Sequence, residues 1–147
     1  MGPPAKVDAL LSLVYRDYWQ FSSFLGVGIV ATLVDWAIFY LLAGYLGIFY
    51  MLALALSYLA STVLNFFLNR HFTFENTCKK VHFQLGSFFS VAITGLVLNE
   101  VIVYSLIHYL FAANAGNLVM ASRIIATVLV FIWNFILNKY ITFRIFR

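Results

Sequence analysis

The sequence predicts an all-α, polytopic membrane protein with four transmembrane helices. Of its 147 residues, 64% are apolar and only 10% are charged, whereas a soluble domain is about half apolar and about a quarter charged. A soluble domain of this length could not bury so many aliphatic and aromatic side chains, because small domains leave much of their surface exposed. Four spans of about 20 residues use most of the chain, which leaves no room for a separate catalytic domain.

The first two spans are predicted from a long apolar stretch. Between Phe21 and Leu68 the one charged residue is Asp35, and the sequence 44–47, which contains two glycines, offers the one evident turn. Two helices joined by a short hairpin fit this pattern. We place them at Phe21–Ala43 and Tyr50–Asn69.

The last two spans follow a polar segment that covers residues 70–82. The next apolar stretch is interrupted by Glu100 and ends at the polar sequence 112–117. Another apolar stretch follows, with Arg123 near its start. The predicted third and fourth spans are Phe83–Leu110 and Leu118–Asn138.

Residues 1–20 are predicted as a cytoplasmic arm. Apolar and polar residues alternate over Asp8–Trp19, as in an amphipathic helix that lies in the membrane interface. Residues 21–147 are predicted to form a single four-helix transmembrane domain.

The basic residues predict the orientation of the spans. Of the nine Lys and Arg residues, all except Arg123 flank one side of the predicted membrane region. Because such residues accumulate in cytoplasmic loops, we expect both termini in the cytoplasm and a multi-pass protein of the inner cell membrane.

One segment occurs twice. The sequence Asn65–Phe74 recurs as Asn134–Phe143, with six of ten positions identical. A weaker similarity relates the first span to the third, which gives repeats at about 21–74 and 83–143. Each repeat holds two spans, so both repeats should face the same way, related by an axis along the membrane normal. The weaker similarity joins Phe24, Val27, Ile29, Leu33 and Asp35 to Phe88, Val91, Ile93, Val97 and Asn99.

These features resemble the GtrA-like family. The resemblance is carried by four spans in about 150 residues, by Asp35 after the sequence Gly26–Gly28, and by the doubled motif Asn-Phe-x-Leu-Asn-[Arg/Lys]-x-x-Thr-Phe. It covers Gln20 to Phe143. It implies a translocase that moves a polyprenyl-phosphate-linked monosaccharide to the outer leaflet for cell-surface polysaccharide glycosylation, beside a partner glycosyltransferase.

Polar residues recur at helical spacing in the second and fourth spans. Ser and Thr residues at such positions commonly hydrogen-bond between packed helices, and we expect this of Ser57, Ser61 and Thr127. The duplicated asparagines have two open interpretations, helix packing or binding of a lipid headgroup. Arg70 and Lys139 either anchor the spans at the interface or attract the anionic headgroup. The asparagines are Asn65, Asn69, Asn134 and Asn138. In the fourth span, Arg123 and Thr127 are predicted to lie on the same helix face as Asn134 and Asn138.

Three charged residues fall within the predicted spans. A charge near the bilayer centre costs at least about 2.5–3.5 kcal/mol, so Asp35, Glu100 and Arg123 need partners or water. One interpretation is a buried ion pair that locks the two repeats together. The other, which we prefer, is that Arg123 engages the lipid phosphate while Asp35 or Glu100 holds it in the empty state.

Other functions fit less well. The basic residues form no cluster on a polar face, so we expect no nucleic acid. His71 and His82 lack a third ligand at metal-site spacing, and no nucleophile and base are paired as in an enzyme. We therefore expect no metal, no cofactor and no enzymatic activity.

Two alternatives to a translocase stay open. The first is a membrane anchor or activator of a glycosyltransferase that transports nothing. The second is a proton-coupled exporter of small molecules. Four-helix exporters of that kind have balanced loop charges and no internal duplication, and this chain shows neither feature. A homodimer would widen the polar groove of a translocase, and the expected partners are the sugar lipid and the surrounding membrane lipids.

Overall fold

The fold consists of helices throughout the described part of the chain. We describe residues 5–106, 108 and 115–145 of a computed structural model, and these residues contain no β-strand. Each helix is long and apolar enough to cross a membrane, so the predicted all-α multi-pass membrane protein is confirmed. The helices are α1 (Ala5–Phe39), α2 (Tyr50–Leu68), α3 (Val81–Ser105) and α4 (Ala115–Leu137).

Helix α1 is longer than the predicted first span. It runs without a break from Ala5 to Phe39, so the described part of the predicted arm and the first span form one helix. The interfacial position of residues 8–19 stays a prediction. The predicted turn before α2 is confirmed: a π-helical turn covers Tyr40–Tyr45, and Gly47 has a φ of +65°, which favours glycine.

The chain divides into two compact units, residues 1–77 and 78–147. In the first unit α1 packs against α2, and in the second α3 packs against α4. Each unit is thus a helical hairpin, and each predicted repeat lies within one of them. The predicted parallel orientation of the repeats and the cytoplasmic placement of the termini stay predictions. The third span was predicted to reach Leu110, which lies outside the described residues, as do residues 112–114 of the predicted loop.

Small side chains bring the two helices of each hairpin together. Along α2, residues 53, 57 and 61 are buried, and the buried residues of α4 lie 69 positions later. Positions four apart form the ridges by which helices commonly pack, and small residues let helix backbones approach closely within a membrane. The residues are Ala53, Ser57 and Ser61 in α2 and Ser122, Ala126 and Val130 in α4.

Enlarging one of these side chains should separate the first hairpin. Ala53 is fully buried, so we expect Ala53→Leu to cost about 1–3 kcal/mol of unfolding free energy through overpacking. The same substitution at Ala55, which is exposed on α2, is the control. Unfolding of both purified variants in mixed micelles measures the difference, and equal stability would contradict this packing.

Candidate functional site

The two copies of the duplicated motif have the same backbone. Helix α2 continues into a π-helical turn at Asn69–Thr73, and α4 continues into one at Asn138–Thr142. In each case the residue after the turn donates its N–H to the carbonyl oxygen of the motif asparagine at 2.9 Å, from Phe74 to Asn69 and from Phe143 to Asn138. Single π-turns are rare and occur frequently at functional sites.

A chain of side-chain hydrogen bonds closes the first hairpin. Thr73 donates its hydroxyl proton to Asn69 Oδ1 at 2.9 Å, and its oxygen lies 3.0 Å from Ser23 Oγ on α1. Because threonine has one hydroxyl proton, Ser23 is the donor to Thr73. Asn69 Nδ2 in turn donates to the backbone oxygen and to Oδ1 of Asn65, at 3.0 and 2.7 Å.

The second hairpin has the matching chain. Thr142 donates to Asn138 Oδ1 at 3.0 Å, its hydroxyl lies 3.0 Å from Ser87 Oγ on α3, and Asn138 Nδ2 donates to the Asn134 backbone oxygen at 2.9 Å. A phenylalanine pair flanks each chain with nearly equal geometry. The ring centroids are 6.2 Å apart for Phe24 and Phe74, and 6.3 Å apart for Phe88 and Phe143.

The burial of the central asparagines favours the packing interpretation for them. Asn69 is 0% exposed and Asn138 is 3% exposed, and both amide groups are engaged within their own hairpins. Transferring an amide from these bonds to a ligand would leave a buried threonine without its acceptor, at about 1–3 kcal/mol. We therefore assign Asn69 and Asn138 to the scaffold that positions the neighbouring residues.

Asn65 and Asn134 have different surroundings, although both are half-buried. Asn65 turns its oxygen toward Asn69. Asn134 turns toward α3, where a Cβ added to Gly95 would lie only 2.5 Å from Asn134 Oδ1. This oxygen is buried without a hydrogen-bond donor among the described residues. The position that matches Gly95 in the first hairpin holds Ala31, so the glycine is what admits the different orientation of Asn134.

The basic residues of the motif lie directly after these asparagines. Arg70 and Lys139 are both half-buried within the π-turns. The ammonium group of Lys139 lies 5.5 Å from the ring centroid of Phe135, close enough for a cation–π interaction. The binding of a lipid headgroup by these two cations stays a prediction.

The charged residues of the spans lie away from the motif ends. Asp35 is half-buried, and Ser61 donates to its Oδ1 at 3.4 Å. In the second hairpin the matching positions hold Asn99 and Val130, so this contact has no counterpart there. Glu100 and Arg123 are exposed on their hairpin. The pairing of Arg123 with Asp35 or Glu100 stays a prediction.

Arg123 and Thr127 do not share the buried face of Asn138, contrary to the sequence-based expectation. Both are exposed, whereas Ser122 and Ala126 are buried. The reason is geometric: residues four apart are rotated by about 40° on a helix with 3.6 residues per turn. The contact line therefore turns around α4 along its length, and a face defined at Asn138 no longer meets α3 at Arg123.

Sequence reasoning missed a second duplicated motif, Gln-x-x-Ser-Phe. It begins at Gln20 in α1 and at Gln84 in α3, and it supplies the serines that donate to Thr73 and Thr142. Gln84 is fully buried, and the side-chain oxygen of Gln20 is buried without a donor among the described residues. The detectable signal was the spacing of 64 residues, the same spacing that relates Phe24 to Phe88.

No group of three or more His, Cys, Asp and Glu side chains within metal-binding reach occurs in the described parts of the chain. His71 stacks edge-on against Phe72, and His82 lies beside Phe83.

Residues 23–143 match the family described as GtrA/DPMS, transmembrane domain. None of the curated proteins matches the chain. The matched range contains both phenylalanine pairs, both hydrogen-bond chains and all three charged residues of the spans.

Removing the bridging hydroxyl should weaken the second hairpin. Thr142 is fully buried, so Thr142→Val deprives Asn138 of its donor and Ser87 of its acceptor, and we expect a loss of about 1–3 kcal/mol. Thr127→Val is the matched control on α4, since that exposed hydroxyl donates to a backbone oxygen of its own helix. Denaturation in mixed micelles should show a loss only for Thr142→Val; similar curves for both variants would contradict the bridging role.

Adding one methyl group at Gly95 should displace Asn134. We expect Gly95→Ala to cost about 1–3 kcal/mol, because the new Cβ overlaps the amide of Asn134. Gly86→Ala on the same helix is the control: its Cβ would meet nothing within 4 Å, so alanine should stabilise α3 by about 0.5–1 kcal/mol. Opposite shifts in thermal unfolding are expected, and stabilisation by both variants would refute the close approach.

Proposed function

Because this chain belongs to the GtrA/DPMS transmembrane-domain family, we propose that it moves a polyprenyl-phosphate-linked monosaccharide from the cytoplasmic to the outer leaflet of the inner membrane. The family supports a role in lipid-linked sugar metabolism. Translocation of the sugar lipid is the finer step that we add.

The observation that carries the proposal is the exposure of charged side chains on apolar membrane helices. Glu100 lies on α3 and Arg123 on α4, and each is exposed on its hairpin. In hydrocarbon each such charge would cost at least about 2.5–3.5 kcal/mol. A polar path that admits water or an anionic headgroup removes this cost, and the guanidinium of Arg123 can hydrogen-bond two phosphate oxygens at once.

Asp35 supplies the second element of the path. Among the described residues its carboxylate accepts one hydrogen bond, from Ser61 at 3.4 Å, so it can still bind a cation or a sugar hydroxyl. In this scheme Arg123 engages the phosphate, while Asp35 or Glu100 neutralises Arg123 when the lipid is absent. The lipid tail stays in the bilayer throughout, so four helices suffice for the headgroup.

Transfer by proteoliposomes that contain only this protein tests the proposal. We expect movement of a labelled polyprenyl-phosphate sugar, reduced at least about tenfold in Arg123→Ala and in Asp35→Asn. Asp35→Asn should fold, because asparagine occupies the matching position 99. Lys79→Ala is the control, since it removes a cation from the segment between the hairpins.

Two outcomes would contradict the proposal. Transfer at the wild-type rate by both span variants would refute the roles of the charges. No transfer by correctly inserted wild-type protein, with several sugars tried, would favour an anchor or activator of a glycosyltransferase, and binding and stimulation of that enzyme would then be measured.

A further inference from the structure

The two motif ends have the same backbone but different side-chain chemistry. Of three pairs of positions 69 residues apart, one keeps a cation, one differs in ring type and one differs in charge. The first hairpin carries Arg70, His71 and Glu75, and the second carries Lys139, Tyr140 and Arg144. The first end thus combines a cation with a carboxylate, whereas the second combines two cations with a phenol ring.

The second set forms a cluster around the ring of Tyr140. The ammonium nitrogen of Lys139 lies 5.8 Å from the ring centroid, and the guanidinium carbon of Arg144 lies 5.6 Å from it. Both distances are within the range of a cation–π interaction. The ring therefore holds two cations near each other, and Tyr140 itself is 46% exposed. We refer to Lys139, Tyr140 and Arg144 as the Tyr140 cluster.

The sequence of the second hairpin contains a single acidic side chain. Glu100 is the one acidic residue in the sequence 78–147. It lies 13 residues beyond Ser87 on α3, about 20 Å along the helix from the serine that contacts the motif end. The negative end of the α4 dipole favours cations at this place, but α2 offers the same field and is followed by Glu75.

We propose that the Tyr140 cluster binds the phosphodiester of a lipid headgroup, so that the second hairpin receives the anionic end of the lipid. This inference rests on the proposed function and names the entry site for its substrate. Arg144 presents a planar fork that pairs with two phosphate oxygens, and Lys139 adds a point charge. The Tyr140 ring limits the motion of both cations.

The burial of Asn138 supports this division of roles. Its amide oxygen accepts from Thr142 and its amide nitrogen donates to the Asn134 backbone oxygen, and because Asn138 is only 3% exposed, this amide is not presented to a headgroup. Tyr140 and Arg144 of the cluster are exposed, whereas Lys139 is half-buried. At the first hairpin the matching carboxylate of Glu75 is exposed and would repel a phosphate.

Binding to the purified full-length protein tests the site. The probe is a fluorescent short-chain polyprenyl-phosphate glucose, and affinity is measured in detergent at low and high salt. We expect Arg144→Gln and Tyr140→Leu each to weaken binding about fivefold, and Tyr140→Phe to stay near the wild type because the ring is retained. Glu75→Gln is the control in the first hairpin and should leave affinity unchanged or slightly higher.

A transplant gives the converse test. His71→Tyr combined with Glu75→Arg recreates the cluster on the first hairpin, and we expect a second binding equivalent. Unchanged affinity in both Arg144→Gln and Tyr140→Leu would overturn the proposal, as would an equal loss in Glu75→Gln. Normal micelle unfolding of each variant separates these results from misfolding.

Competition with phosphatidylglycerol identifies the source of the phosphodiester. If the phospholipid displaces the probe at similar concentration, the cluster is a site for bulk anionic lipid; if it does not, the cluster selects the sugar lipid. Both results support a phosphodiester site. If the protein binds the probe through Arg144 but does not translocate the lipid, the proposed function is refuted and the binding site is not. If it translocates the lipid but its binding does not depend on the cluster, the binding site is refuted and the proposed function is not.

Discussion

The structure depends on one buried hydrogen-bond chain, which runs in each hairpin from a serine through a threonine to an asparagine. In a bilayer no water satisfies such groups, so a buried polar atom that lacks a protein partner is costly. The threonine has one proton, which fixes the direction of the whole chain. The chain joins the start of one helix to the end of the next, and it sets where the π-turn places its basic residue. Both halves meet this constraint with nearly equal distances, from 2.9 to 3.0 Å along the serine–threonine–asparagine links.

Much of this could be predicted from the sequence, because spans and repeated motifs are local patterns. The turn before α2, the four helices and the doubled Asn motif are visible without coordinates. The continuity of α1 through residues 8–21 could not be predicted. Amphipathic and apolar helices have the same period, so the pattern does not show whether one helix ends before the other begins. The exposure of Arg123 could not be predicted either, because the angle at which α3 and α4 cross decides which residues along α4 are buried. Gln20 and Gln84 were missed because Gln20 lies just outside the predicted first span, so the Gln-x-x-Ser-Phe pair crosses its boundary.

The two hairpins share a scaffold but not a chemistry. At matching positions the first hairpin has Ala31 and the second has Gly95. This one methyl group decides which way the motif asparagine on the neighbouring helix turns, Asn65 in the first hairpin and Asn134 in the second. The contact of Ser61 with Asp35 is replaced by Val130 and Asn99. These differences lie beside the hydrogen-bond chains and not within them. A duplicated fold can therefore diverge in the residues it presents while the bonds that close each hairpin stay the same.

This separation between scaffold and presented residues bears on what the protein can bind. The side chains of Asn69, Thr73, Asn138 and Thr142 are buried and hydrogen-bonded within their own hairpins, so diverting them to a ligand would lower the stability of the fold. Charged side chains that lie outside these hydrogen-bond chains carry no such cost. In a medium of low dielectric constant they attract an opposite charge strongly. Lipid phosphates are the abundant anions at the membrane surface that can remain embedded there while they bind. A scaffold that satisfies itself and presents cations beside aromatic rings is therefore suited to a lipid headgroup more than to a soluble solute.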